Sequence, residues 1–468
     1  MSLELLVASV RGFAPTALQI DETTLNNPAW HYEPYPAYSD VRYALLHTTL
    51  ELRQLAAHLA AARQQAGLAV TLAQHALAQH HAAFRDFEAL LLAFDGGHFT
   101  AEPAQGEWSA AVVLAHVHKV ERNFYAAILN TIRNPAPGFL SDEEVAGLAG
   151  EPVDIAPAAD LAGGWTGFAR LHARLQAELA ALTDAQLAMP SPYWEPEPWP
   201  TIAFRLHRFE SHLREHTNQL EKNLALLGVK RSEAHMLVRQ MMAALAEVEG
   251  LHIGAAHLAG DRVDAAAEGI AARFAALPPR LEAIHAMTDA VAALDHDRIA
   301  ALVAAEPALA GTALPDGRSA ILFARYNGRT DIVQTLLASG LRLTLAEAAA
   351  VGESERVRRI LAAWPEAANH YSADGFTPLQ LACFFGDAES ARLLIDAGAD
   401  VLAVARNSMQ IQPIHAAVAG RDAEIVRMLI AAGADVNARQ QDDFTPLDAA
   451  RQNGDRTIEE MLVAAGAV

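Results

Sequence analysis

Cysteine is nearly absent: Cys383 is the only one among 468 residues. No intramolecular disulfide can form. Cys383 follows Leu379-Gln-Leu-Ala in a helical pattern and reads as a packed thiol rather than a reactive one. Any thiol chemistry must therefore draw its thiol from a substrate or cofactor. Cations are also scarce, with 35 Lys and Arg against 56 Asp and Glu and a net charge of −21. They form no run and no basic face. Phosphate contacts need clustered cations, so a nucleic-acid partner is not expected. No window offers the roughly 18 consecutive apolar residues that span a bilayer, so no membrane partner is expected either. The first residues carry no basic segment ahead of a long apolar stretch. The cytoplasm is the expected location. The length suits two to four domains with large cores.

Histidine is plentiful, at 20 residues. The segment 201–220 reads as a helix whose apolar residues recur as Ile202, Leu206, Phe209, Leu213 and Leu220. His216 stands where the next core residue should fall, and His212 lies one turn before it on the same face. A polar ring at a core-facing position must be satisfied by some partner. A second helix follows Trp108, with Val113, Val117, Val120, Phe124 and Ile128 as its apolar stripe and Ser109 as its N-cap. His116 lies on that stripe. His118, roughly 200° round the helix, should point away. The three histidines are either ligands of one divalent metal or core side chains bonded to backbone carbonyls.

These residues carry a resemblance. Glu107-Trp108-Ser109, His116 with Glu121 five residues on, and His212-Leu-Arg-Glu-His216-Thr-Asn-Gln-Leu220 resemble the DinB-like superfamily over residues 72–228. That superfamily includes the YfiT-like metal-dependent hydrolases and the bacillithiol and mycothiol S-transferases. The resemblance implies a four-helix bundle whose metal is held by His116, His212 and His216. Three imidazoles leave at least one coordination position open. They suit Zn, Ni or Fe, so donor type does not name the metal. The implied activity is that of a metal-dependent thiol S-transferase or hydrolase, with a small thiol as one substrate class. A fourth protein ligand, such as His207 or His75, would instead close the site and favour a structural role. Glu107, Glu121, Glu210 and Glu215 read as solvated helix faces, and no catalytic base is assigned.

The remainder sets an all-α architecture. Residues 1–71 read as an arm and a helix, the arm being the Pro- and aromatic-rich stretch 26–38. The helix has Leu45, Leu52, Leu55 and Leu59 as core residues. The bundle's first helix is expected over 71–94, with His75, His80 and His81 mostly at the surface. Its third follows Asp160, with Phe168, Leu171, Leu175, Leu179 and Leu182 inward. A Pro-rich stretch, 189–200, leads into the last helix. Residues 229–285 read as a helical connector.

Residues 286–468 contain an internal repeat. Phe376-Thr-Pro-Leu, Gln412-Pro-Ile-His and Phe444-Thr-Pro-Leu recur, as do Ala-Gly-Ala-Asp endings, and Gly386, Gly420 and Gly454 are spaced by 34 residues. This resembles ankyrin repeats, an α-solenoid, and implies a protein partner. Thr377 and Thr445 are expected to cap helices, and Pro378, Pro413 and Pro446 to open them. The glycines are expected to permit tight turns. His415 reads as structural. Tyr326, Phe384, Phe385, Met409 and Asp442 are candidates for a binding face. Two function classes follow: a metal-dependent enzyme recruited through its ankyrin array, or a non-catalytic scaffold or sensor built on a metal-stabilised bundle.

Overall fold

The computed structural model describes residues 2–27, 41–94, 96–134, 136–193 and 198–468. Most of the 26–38 arm and part of the Pro-rich 189–200 stretch lie outside these. Among the described residues there is no β-strand, only isolated bridges pairing Pro190 with Thr201 and Ala313 with Ser319. The fold is all-α, as expected. The chain divides into two compact units, residues 1–25 with 42–278 and residues 26–41 with 279–468.

The first unit contains the site. Its long helices are α1 (Ser2–Leu18), α2 (Val41–Gln65), α3 (Leu72–Leu91), α4 (Ala110–Arg133), α5 (Leu161–Leu179), α6 (Ile202–Leu226) and α7 (Glu233–His252); α8 (Gly260–Ala292) follows, with its residues from 279 on counted in the second unit. Local chemistry sets where four of them begin. Thr71 and Gln74 form a reciprocal capping box at α3. Ser109 accepts a hydrogen bond from the Val112 amide at α4. Asp160 accepts from the Gly163 amide at α5, and Thr201 from the Phe204 amide at α6. Each such cap satisfies a helix donor that has no partner within the helix and is worth about 0.5–2 kcal/mol.

Helices α3, α4, α5 and α6 form the bundle. Helix α6 packs on α3 and α4, and α5 packs on α4 and α3. The heptad-spaced residues of α5 all face inward: Phe168, Leu171, Leu175 and Leu179 have no exposure. Burying each contributes about 1.5–3 kcal/mol. Helix α5 approaches α4 closely because Gly164 has no side chain. A Cβ there would lie 2.9 Å from Leu114 Cδ2.

The 229–285 region is not a bare connector over its first half, because α7 packs along α3. Its apolar face, including Leu237, Val238, Met241, Leu245 and Val248, is buried. Two ion pairs link the helices: Arg85 Nη2 lies 2.6 Å from Glu249 Oε1, and Arg239 Nε lies 2.5 Å from Asp86 Oδ1.

The second unit is a series of short helix pairs, beginning with Ala320–Tyr326 and Thr330–Ala338 and ending with Pro446–Asn453 and Arg456–Ala464. Thr377 and Thr445 cap their helices in capping boxes, with proline following each. His415 accepts a hydrogen bond from the Gln412 amide and reaches the Ala438 carbonyl at 3.1 Å, a structural role. Cys383 is fully buried. One expectation needs correcting. Gly386 and Gly454 end their helices in the left-handed region, but Gly420 has φ −70° and Arg421 takes φ +57° instead. Gly420 serves close approach: a Cβ there would lie 2.6 Å from the Cys383 carbonyl oxygen and 2.7 Å from that of Phe384.

Candidate metal centre

His212 and His216 lie one turn apart on α6, and His116 faces them from α4. His212 Nε2 is 3.3 Å from His116 Nε2 and 3.1 Å from His216 Nε2. Three Nε2 atoms thus converge on one point. His212 Nε2 carries at most one hydrogen, so hydrogen bonding cannot satisfy both contacts. A shared cation can. Nitrogens at about 2.0–2.1 Å from a tetrahedral ion are about 3.3 Å apart, close to the spacing found. The donor set therefore fits a divalent metal, and the alternative of bonds to backbone carbonyls does not describe these contacts.

The surroundings keep the rings neutral and aimed. His212 and His216 are buried, while His116 is half-buried. Burial, then the neighbouring His216 and His116, holds His212 down to about 3. Burial is also the main cause that lowers His116 and His216. Neutral imidazole is the form that binds metal. His216 Nδ1 lies 2.8 Å from Gln219 Oε1. The amide oxygen can only accept, so His216 carries its proton on Nδ1 and presents a lone pair at Nε2. Gln219 is within the α6 motif, three residues after His216, a spacing that marks a same-face neighbour. Sequence reading did not assign it this role.

The site has an apolar floor and a partly open mouth. Phe124 meets His212 edge-on, with ring centroids 6.3 Å apart. Trp108 lies over His116 at 4.9 Å and parallel to His216 at 6.5 Å, and 42 % of it is exposed. Asn223 donates to the Trp108 carbonyl and fixes the α4 entry against α6. At the rim, Lys222 Nζ lies 2.5 Å from Glu107 Oε1.

Neither proposed fourth ligand joins the centre: His75 and His207 are both exposed. Glu210 and Glu215 pair with Arg214 and Arg208 on the outer face of α6. His118 points away from the centre, as its angular position requires, but it is buried, 3.3 Å from Glu151 Oε2.

Three surface assignments fail. His80 and Glu121 have no exposure, and His81 is 8 % exposed. His80 Nε2 lies 2.9 Å from Glu121 Oε1. The signal was present in the spacing. Leu77, His80, Phe84, Phe87 and Leu91 form one stripe on α3, and Val117, Glu121, Tyr125 and Ile128 form one on α4.

Three of the five candidates of the ankyrin unit line one cavity, and Phe385 packs against Tyr326 with ring centroids 5.3 Å apart without lining it. Tyr326, Phe384 and Met409 line a cavity of about 520 Å³ with Arg318, Asp374 and Asn407. Tyr326 donates to Asp374 Oδ2 at 2.8 Å. Asp442 does not line it; it takes φ +62° in a tight turn.

Among the described residues no helix is long and apolar enough to cross a membrane. Comparison with curated proteins finds no match. Comparison with protein families matches the DinB superfamily at residues 79–220. It also matches ankyrin repeats (3 copies) at residues 287–405 and 345–440. The chain therefore contains a DinB-superfamily domain, residues 79–220, followed by C-terminal ankyrin repeats.

Proposed function

We propose that the bundle is a metal-dependent enzyme, a thiol S-transferase or hydrolase, and that the ankyrin repeats bring it to a protein partner in the cytoplasm. His116, His212 and His216 hold one divalent cation, Zn, Ni or Fe. The observation that carries this reading is the convergence of three Nε2 atoms, those of His116 and His216 lying 3.3 and 3.1 Å from that of His212.

A cation held there supplies Lewis acidity, which makes water or a thiol nucleophilic near neutral pH. The chain's own residues set the conditions for that chemistry. Gln219 holds the His216 tautomer. Phe124 excludes water from the inner side of the centre, and Trp108 offers an aromatic wall at its mouth for the apolar part of a substrate. Neither His75 nor His207, both exposed, joins the three donors grouped among the described residues, so a cation there would keep a position for water or substrate. That favours catalysis over a purely structural site.

The test is elemental analysis of untagged protein, wild type against His212→Ala. About one equivalent of metal that depends on His212 is expected, followed by turnover in a screen of thiol and ester substrates. No His212-dependent metal, even after reconstitution, would reject the centre. Metal without turnover would return the bundle to a scaffold or sensor role.

A further inference from the structure

We propose that His80, Glu121 and His172 form a second divalent-cation site, separate from the three-histidine centre. The three residues come from α3, α4 and α5, and their donor atoms all lie within 4.8 Å of one another. None is more than 3 % exposed. Glu121 Oε1 contacts His80 Nε2 at 2.9 Å, but Glu121 Oε2 is buried without a hydrogen-bond partner. His172 Nδ1 is likewise buried and unpartnered. A carboxylate with no exposure and one unsatisfied oxygen is costly to bury, and so is an unsatisfied imidazole nitrogen. His172 Nε2 already contacts His81 Nδ1 at 2.9 Å, so a cation held by His172 Nδ1 and Glu121 Oε2 would remove both costs.

The donor set has a definite character. Two imidazoles and one carboxylate suit Zn²⁺, Mn²⁺ or Fe²⁺ with positions left open. The one close donor pair, His80 Nε2 and Glu121 Oε1 at 2.9 Å, is as tight as those of the three-histidine centre. Ligands of a tetrahedral ion sit about 3.3 Å apart, and no donor pair here exceeds 4.8 Å, so closing on an ion takes side-chain shifts of about an ångström or less. Access exists. His172 and Gln176 line a cavity of about 910 Å³ that also borders Arg85 and Glu249. Gln176 lies beside the two rings: its Nε2 donates to the Leu77 carbonyl oxygen at 3.1 Å and stands 3.5 Å from both His80 Nδ1 and His172 Nε2.

The two centres are distinct. Phe209 stacks on His80 at 5.0 Å, and Phe124 lies against both Phe209 and His212. This aromatic pair stands between the clusters, whereas metals of a two-metal centre are about 3.5–4 Å apart. A cation in the second site would cross-link three bundle helices at their core.

The test is Zn²⁺ stoichiometry of the metal-stripped full chain, by calorimetry and by mass spectrometry after dialysis. Two equivalents are expected for wild type, one for Glu121→Gln, one for His212→Ala and none for the double variant. Saturation of wild type at one equivalent that Glu121→Gln retains would overturn the proposal. One equivalent lost in Glu121→Gln but kept in His212→Ala would support the second site while rejecting the three-histidine centre. Should Glu121→Gln fail to fold, Co²⁺ loading of His212→Ala decides the matter. One remaining ion with visible d–d absorption supports the site, and none overturns it.

Discussion

Gln219 offers the sharpest test of the three-histidine centre, because it touches no substrate and lies outside the donor set. Its Oε1 sits 2.8 Å from His216 Nδ1. Gln219→Leu keeps the side chain's bulk but removes the acceptor. His216 is then free to move its proton to Nε2, where it blocks coordination. Losing such an orienting partner typically costs 10–100-fold in metal affinity, about 1.4–2.7 kcal/mol. The loss propagates to stability. At free Zn²⁺ about 1,000 times the wild-type Kd, bound metal stabilises the fold by about 4.1 kcal/mol. The variant under the same conditions retains about 2.7 down to 1.4 kcal/mol. At about 2–4 °C per kcal/mol, its melting temperature should fall roughly 3–11 °C below that of wild type with Zn²⁺ present. With chelator present, the two proteins should melt nearly together. Calorimetric titration and thermal unfolding with and without Zn²⁺ provide both readings. Equal Zn²⁺ affinity in the two proteins, or an equal melting difference with chelator, would refute the reasoning.

Two further outcomes are expected. Burial holds His212 near 3, so as pH falls the unfolded chain binds this proton first. Its contribution to stability is intact above the ordinary value of about 6.5 and is lost progressively down to about 3. Metal-free wild type should therefore lose more melting temperature between about pH 7 and pH 5 than His212→Phe does, and parallel pH profiles would contradict this. In the ankyrin unit, Gly420→Ala should destabilise by about 1–3 kcal/mol, because its methyl group meets two carbonyl oxygens. A urea titration showing an unchanged midpoint would count against that packing argument.

Much of the architecture was legible because periodicity and capping are local. Ser109 marked a helix start by its own chemistry, and the α5 heptad pointed inward as its spacing required. The ankyrin repeats announced themselves by recurrence. His116, His212 and His216 were legible as candidates because each falls on an apolar stripe. His80 and Glu121 fall on apolar stripes too, yet they read as surface residues because a charged or titratable side chain normally is one.

Sequence alone thus determined the all-α class, the bundle followed by repeats, and three histidines as candidate ligands. Tertiary structure decided which of them meet. The Nε2 convergence needs α4 and α6 side by side, and the His80–Glu121–His172 cluster needs α3, α4 and α5. The role of Gly420 also appeared only once neighbouring repeats were stacked, since the atoms it avoids belong to the preceding helix pair. Spacing along a chain fixes which face of a helix a residue occupies. Only the packing of several helices fixes what that face meets.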